Sequence, residues 1–114
     1  MTFHVEIFNY YCGRIMHKTR ITPEYVCSEQ NIQVNRGSYA RHQRVLTREE
    51  LRSWTAFLSA FPLHRLKDGY VNQSVKDGKQ MRFMIRINDE VKDLCVANYY
   101  IRELGEMVSR AVEL

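Results

Sequence analysis

The chain is 114 residues long, 45% hydrophobic and 26% charged, with a formal net charge of +4. That length fits one domain, residues 1–114, burying about two-thirds of its unfolded surface, and the composition excludes disordered and fibrous classes. The positive excess sits mostly in residues 1–46, where Arg14, Lys18, Arg20, Arg36, Arg41 and Arg44 face only Glu6, Glu24 and Glu29; it permits an anionic partner without requiring one.

Phe3, Val5 and Ile7 alternate with His4 and Glu6 in a β-branched and aromatic run that reaches Tyr11, which predicts a half-buried strand. Cys12-Gly13-Arg14 is a turn, and Ile15, His17, Thr19 and Ile21 then alternate with Met16, Lys18 and Arg20 in the second strand of a hairpin. A hairpin centred on Gly13 pairs residues whose numbers sum to about 26. Thr22-Pro23 interrupts the pattern, Tyr25 to Val34 predicts a third strand, and Asn35-Arg36-Gly37-Ser38 is a turn signal. Tyr39 to Leu46 is a fourth strand so polar that it reads as a solvated edge.

At mid-chain, Thr47 and Glu50 have the spacing of a capping box, in which each side chain satisfies a backbone N–H at a helix start. Leu51, Trp54, Leu58 and Phe61 continue as an apolar stripe, and Pro62 disfavours helical geometry at Phe61. Residues 63–69 read as a linker and Tyr70 to Val75 as a fifth strand, with Asp77-Gly78 as a hairpin turn into the sixth. There Met81, Phe83, Ile85 and Ile87 alternate with Arg82, Met84 and Arg86. Asn88-Asp89-Glu90 turns the chain into a last strand, Val91 to Ala97, and Asn98 is expected to cap a closing helix buried along Ile101, Leu104, Val108 and Ala111 or Val112. Gly105 weakens that helix by about 1 kcal/mol relative to alanine.

No segment carries a specific catalytic motif. The phosphate-loop, dinucleotide and nucleophile-elbow glycine patterns are absent. Cys12, Cys27 and Cys95 are odd in number, widely spaced and without a C-x-x-C pair, which gives neither a disulfide framework nor a zinc ribbon and points to a reducing cytoplasm. Cys12 beside Arg14 and His17 is better explained as a structural thiol than as a nucleophile. His4, Cys12, His17 and Cys27 do not converge, because the hairpin register sets His4 opposite residue 22. Glu49 and Glu50 suit the positive end of a helix dipole, and Asp68, Asp77, Asp89 and Asp93 suit turns. No catalytic residue, metal or cofactor is therefore expected. The opening residues show no basic leader followed by an apolar stretch, so no signal peptide is expected, and no apolar run approaches the roughly 20 residues that span a bilayer.

The expected fold is α+β: a mostly antiparallel sheet of six or seven strands with two helices packed on one face, in the order strand meander, helix, strand meander, helix. The leading expectation for function is a small non-enzymatic binding or interaction domain, partnered by another protein or a second copy of itself through the sheet face that the helices leave uncovered. That face would carry Met16, Lys18, Arg20, Arg82, Met84 and Arg86. One alternative is nucleic-acid binding by a basic edge strand, with Arg36, Arg41 and Arg44 on phosphates, Tyr39 stacked on an unpaired base, and Arg82 and Arg86 extending the patch. The other is a small enzyme or ligand-binding domain with a pocket between sheet and helices.

Overall fold

The alternating patterns of the first half form a sequential antiparallel meander of β1 (Phe3–Tyr11), β2 (Arg14–Ile21), β3 (Tyr25–Gln30) and β4 (Ala40–Val45). The computed structural model describes residues 1–11, 14–30, 40–72 and 80–114. The turns at Cys12-Gly13, Asn35–Ser38 and Asp77-Gly78 lie outside the described residues, as do Arg36 and Tyr39. β1 and β2 pair in the expected register, from Val5 opposite Ile21 to Asn9 opposite His17. The register then slips, with Tyr10 facing Ile15, so Met16 is an extra residue on β2. Such a bulge bends and twists the strand that carries it.

The second half departs from a plain meander. β6 (Gln80–Ile87) and β7 (Glu90–Ala97) form a hairpin closed at Asn88-Asp89, with Asn88 in the left-handed region at φ 53°. The strand expected over Tyr70 to Val75 appears as a short β5 (Gly69–Val71), and it does not pair with β6. It adds instead to the outer edge of β7 in parallel, Tyr70 opposite Val96, giving the order β4-β3-β2-β1-β6-β7-β5. The reason is competition: β6 already has β1 on one side, Val5 opposite Ile85, and β7 on the other, so only the free edge of β7 remains. The sheet is therefore mixed, with one parallel pair among antiparallel ones.

Two helices, α1 (Arg48–Ser59) and α2 (Arg102–Val112), cover one face. Both halves of the capping box are made: Glu50 N–H donates to Thr47 Oγ1 at 3.1 Å and Thr47 N–H to Glu50 Oε1 at 2.9 Å. Trp54 and Leu58 of α1 and Leu104 and Met107 of α2 pack into one core with Phe3, Val5, Ile7, Ile21, Phe83, Ile85 and Leu94. The segment read as a linker contributes to that core, since Leu63, in a 3-10 turn, and Leu66 are both buried. The thin dimension of the molecule, 22 Å, is that of one sheet and one helix layer.

Asn98 does not cap α2. It sits in the connection at φ 55°, and the helix begins four residues later at Arg102, with Ile101 in the cap position and no side-chain cap. The intervening residues are held elsewhere: Tyr99 packs on Tyr70 with ring centroids 5.5 Å apart, and Ile101 packs against the core. Gly105 also gains a reason beyond propensity, because a Cβ there would stand 2.8 Å from Cε2 of Tyr100.

Among the described residues, no helix is long and apolar enough to cross a membrane.

Candidate ligand-binding cleft

Cross-strand register arranges the helix-bearing face in rows. Ile85, Val5, Ile21, Val26 and Arg44 face one another across β6, β1, β2, β3 and β4. The next row is Phe83, Ile7, Thr19, Ser28 and His42, and the third is Met81, Asn9, His17, Gln30 and Ala40. Towards β6 these positions are apolar and form the core. Over β2 and β3 the same buried phase turns polar, as Ile21 gives way to Thr19 and His17, and Val26 to Ser28 and Gln30.

The helices do not close over this polar quarter. Seven strands at about 4.8 Å spacing make a sheet about 29 Å wide, and two helices packed about 9 Å apart cover only about 20 Å of it. What remains is a cleft of about 550 Å³, within the range of small-molecule sites. Its floor is Asn9, His17, Thr19, Ser28 and Gln30, its outer wall is His42 and Arg44 of β4, and its lip is Val108, Ala111 and Val112 of α2 with Leu114 beyond. The Met16 bulge falls immediately after the Asn9–His17 pair, at the end of this floor. Bulges commonly sit where a side chain is re-aimed beside a site.

His17 Nε2 lies 2.8 Å from Ser28 Oγ, a diagonal contact between β2 and β3. Burial lowers the His17 pKa, because an imidazolium loses more hydration than a neutral ring. The ring is thus neutral at pH 7, and the Ser28 hydroxyl keeps either its proton or a lone pair for a third group, according to the tautomer. Arg44 supplies the wall rather than a free charge. Its guanidinium pairs bidentately with Glu50, at 2.8 and 2.6 Å, and donates at 2.6 Å to the Leu114 carbonyl oxygen. In return, Arg44 first and the Thr47 N–H second hold the Glu50 carboxyl down at about 2.

The uncovered face has a different character. Its centre is Phe8, only 8% exposed although no helix covers it. Lys18 Nζ and the Arg82 guanidinium lie over the ring, 5.2 and 5.6 Å from its centroid. Beside it Glu6 meets His4 Nε2 at 2.7 Å, Arg20 Nε at 3.3 Å and Lys18 Nζ at 3.6 Å. Burial raises the Glu6 pKa, but the His4 hydrogen bond and the Lys18 and Arg20 charges outweigh it, and the net shift is downward. Arg82 is bidentate to Asp93 at 3.0 and 2.6 Å, and Arg41 pairs with Glu29 at 3.6 Å.

Of the basic residues singled out in the sequence, the described ones, Arg41, Arg44, Arg82 and Arg86, are not brought into one patch. Arg41 faces Glu29 on the uncovered side, whereas Arg44, three residues on, faces Val26 on the helix side, as strand alternation requires. Arg82 and Arg86 share β6 and the uncovered face, but β6 is four strand spacings, about 19 Å, from β4. Lys18 and Arg20 of β2 lie nearer to them and complete the cationic side of that face. His4 and His17 occupy opposite faces of the sheet. The cleft residues Asn9, Thr19, Ser28 and Gln30 had one signal in the sequence: polar side chains at strand positions in phase with a buried row. No protein-family model matches the chain, and neither does any curated protein.

Proposed function

We propose that the protein is a small non-enzymatic binding domain whose ligand, a small molecule, seats in the cleft between the β1–β4 floor and the end of α2. One observation carries this reading: the sheet face that elsewhere builds the core turns polar over two rows and three strands where the helices leave it open. The polar side chains converge on a space of ligand size, with an apolar lip from α2 on its other side. The experiment is backbone amide chemical-shift mapping with a chemically diverse mixture of small fragments. Shifts clustered at Asn9, His17, Thr19, Ser28 and Val108 support the reading. Shifts confined to the uncovered face, or none at all, contradict it.

A second reading, an acidic protein partner on the uncovered face, is favoured by Arg86. This exposed arginine makes no ion pair among the described residues and stands on the same face as Lys18, Arg20 and Arg82. Stacking of a nucleic-acid base is less favoured there, because the Phe8 ring is already covered by two cations. Binding on this face would weaken steeply with added salt.

A further inference from the structure

We propose that the cleft selects an uncharged ring carrying a hydrogen-bond donor beside an acceptor, the chemistry of a lactam or a pyrimidine-type heterocycle. The inference rests on the cleft being a ligand site and adds what that ligand is.

Charge decides first. Among the described residues that line the cleft, no side chain is a carboxylate that would pair with a cationic ligand. The cationic side chain among them, Arg44, is already matched by the bidentate Glu50 and by the Leu114 main-chain oxygen. An anion would have to compete with Glu50 for a guanidinium whose fork geometry is already satisfied. The described side chains of the cleft thus hold no unmatched charge, which favours a neutral molecule.

Geometry decides next. Asn9, His17 and Gln30 stand side by side on three adjacent strands. At about 4.8 Å per strand, the backbones that carry the two carboxamides lie about 10 Å apart, one on each side of the strand that carries the imidazole. Each carboxamide offers an N–H donor and a carbonyl acceptor in one plane, the arrangement that complements the N–H and C=O of a cyclic amide. Ser28, 2.8 Å from His17, supplies one further donor or acceptor between the rows. A single six-membered ring spans that floor, and its apolar face then meets Val108 and Ala111 of α2. A polyol fits less well, since the cleft offers neither the carboxylates that bind paired hydroxyls nor an aromatic platform other than imidazole.

The test is an NMR titration of the intact chain with uracil, with D-glucose and benzoate as the polyol and anionic comparisons. Uracil is expected to give saturable shifts at Asn9, Ser28 and Gln30 and to bind more tightly than either comparison. Ser28→Ala and Gln30→Leu should each weaken it about three- to tenfold, the loss of one neutral hydrogen bond. Gln30 is solvent-exposed, so its variant leaves folding intact. Glucose or benzoate binding as tightly as uracil overturns the inference, and so does uracil binding unchanged in both variants. If uracil fails while other fragments still shift the cleft residues, the lactam assignment falls and the ligand site stands. If nothing shifts them, both fall.

Discussion

Arg44 and Glu50 join the sheet edge to both helices. The guanidinium grips the carboxylate at 2.8 and 2.6 Å while also reaching the Leu114 carbonyl, so one side chain of β4 ties together the start of α1 and the residues after α2. Glu50 also accepts from the Thr47 N–H, which couples the wall of the cleft to a helix cap.

The two roles of Glu50 separate by substitution. Thr47→Ala removes the cap oxygen and should destabilise the fold by about 1 kcal/mol in chemical denaturation. Glu50→Gln keeps a side chain able to accept from Thr47 N–H, as capping boxes allow, but loses the charge that Arg44 grips. Because the folded pKa, about 2, lies below the usual carboxylate value, this group's stabilisation is complete above pH 4.5 and lost as pH falls towards 2. Urea midpoints measured from pH 5 to pH 2 should therefore fall less in Glu50→Gln than in the parent chain.

Glu6 joins Lys18, Arg20 and the His4 imidazole on the uncovered face. Glu6→Gln leaves His4, Lys18 and Arg20 without their common carboxylate and should lower stability by about 1 kcal/mol, the scale of a surface ion-pair network. The loss should shrink in high salt. The folded carboxyl titrates below its ordinary value, so its contribution is present above pH 4.5 and disappears as pH falls through the lowered pKa. A salt-independent difference between variant and parent would contradict this account of the face.

His17 works in the same direction at higher pH. Burial holds its folded pKa below 6.5, so protonation favours the unfolded chain and stability declines as pH falls below 6.5. His17→Gln should flatten the stability profile between pH 6.5 and the lowered value. An unchanged profile would show that the ring is not buried as described.

Gly105→Ala tests the contact between α2 and Tyr100. Helix propensity favours alanine by about 1 kcal/mol, while the new methyl group meets the outer end of a ring that is 75% exposed and free to swing aside. The single substitution should raise stability by less than that amount. In a Tyr100→Ala background the full gain should appear, and thermal denaturation of the two pairs reads the difference.

What could be read in the sequence was local. The capping box of Thr47 and Glu50, the Trp54–Leu58 stripe and the sum-26 register of β1 with β2 each depend on residues close along the chain, and all three are present. Alternation alone also separates Arg41 from Arg44, since residues three apart on a strand face opposite sides. The parallel docking of β5 was not legible, because it follows from which strand edges remain free once β1 and β7 have claimed β6. Nor was the start of α2, where Tyr99 and Ile101 are held by Tyr70 and the core rather than by a capping residue. The cleft was only half legible: the sum-26 register already sets Asn9 opposite His17, but it takes the pairing of β3 with β2 to bring Gln30 into the same row and the placement of α2 to leave that row uncovered.

The most direct test of the cleft as a ligand site is a crystallographic fragment screen of the intact chain. Fragments should seat between the β2–β3 floor and α2, with polar atoms on Asn9, the His17–Ser28 pair or Gln30 and apolar surface against Val108 and Ala111. Fragments scattered over the uncovered face, or a cleft closed by its own side chains in every crystal, would contradict it.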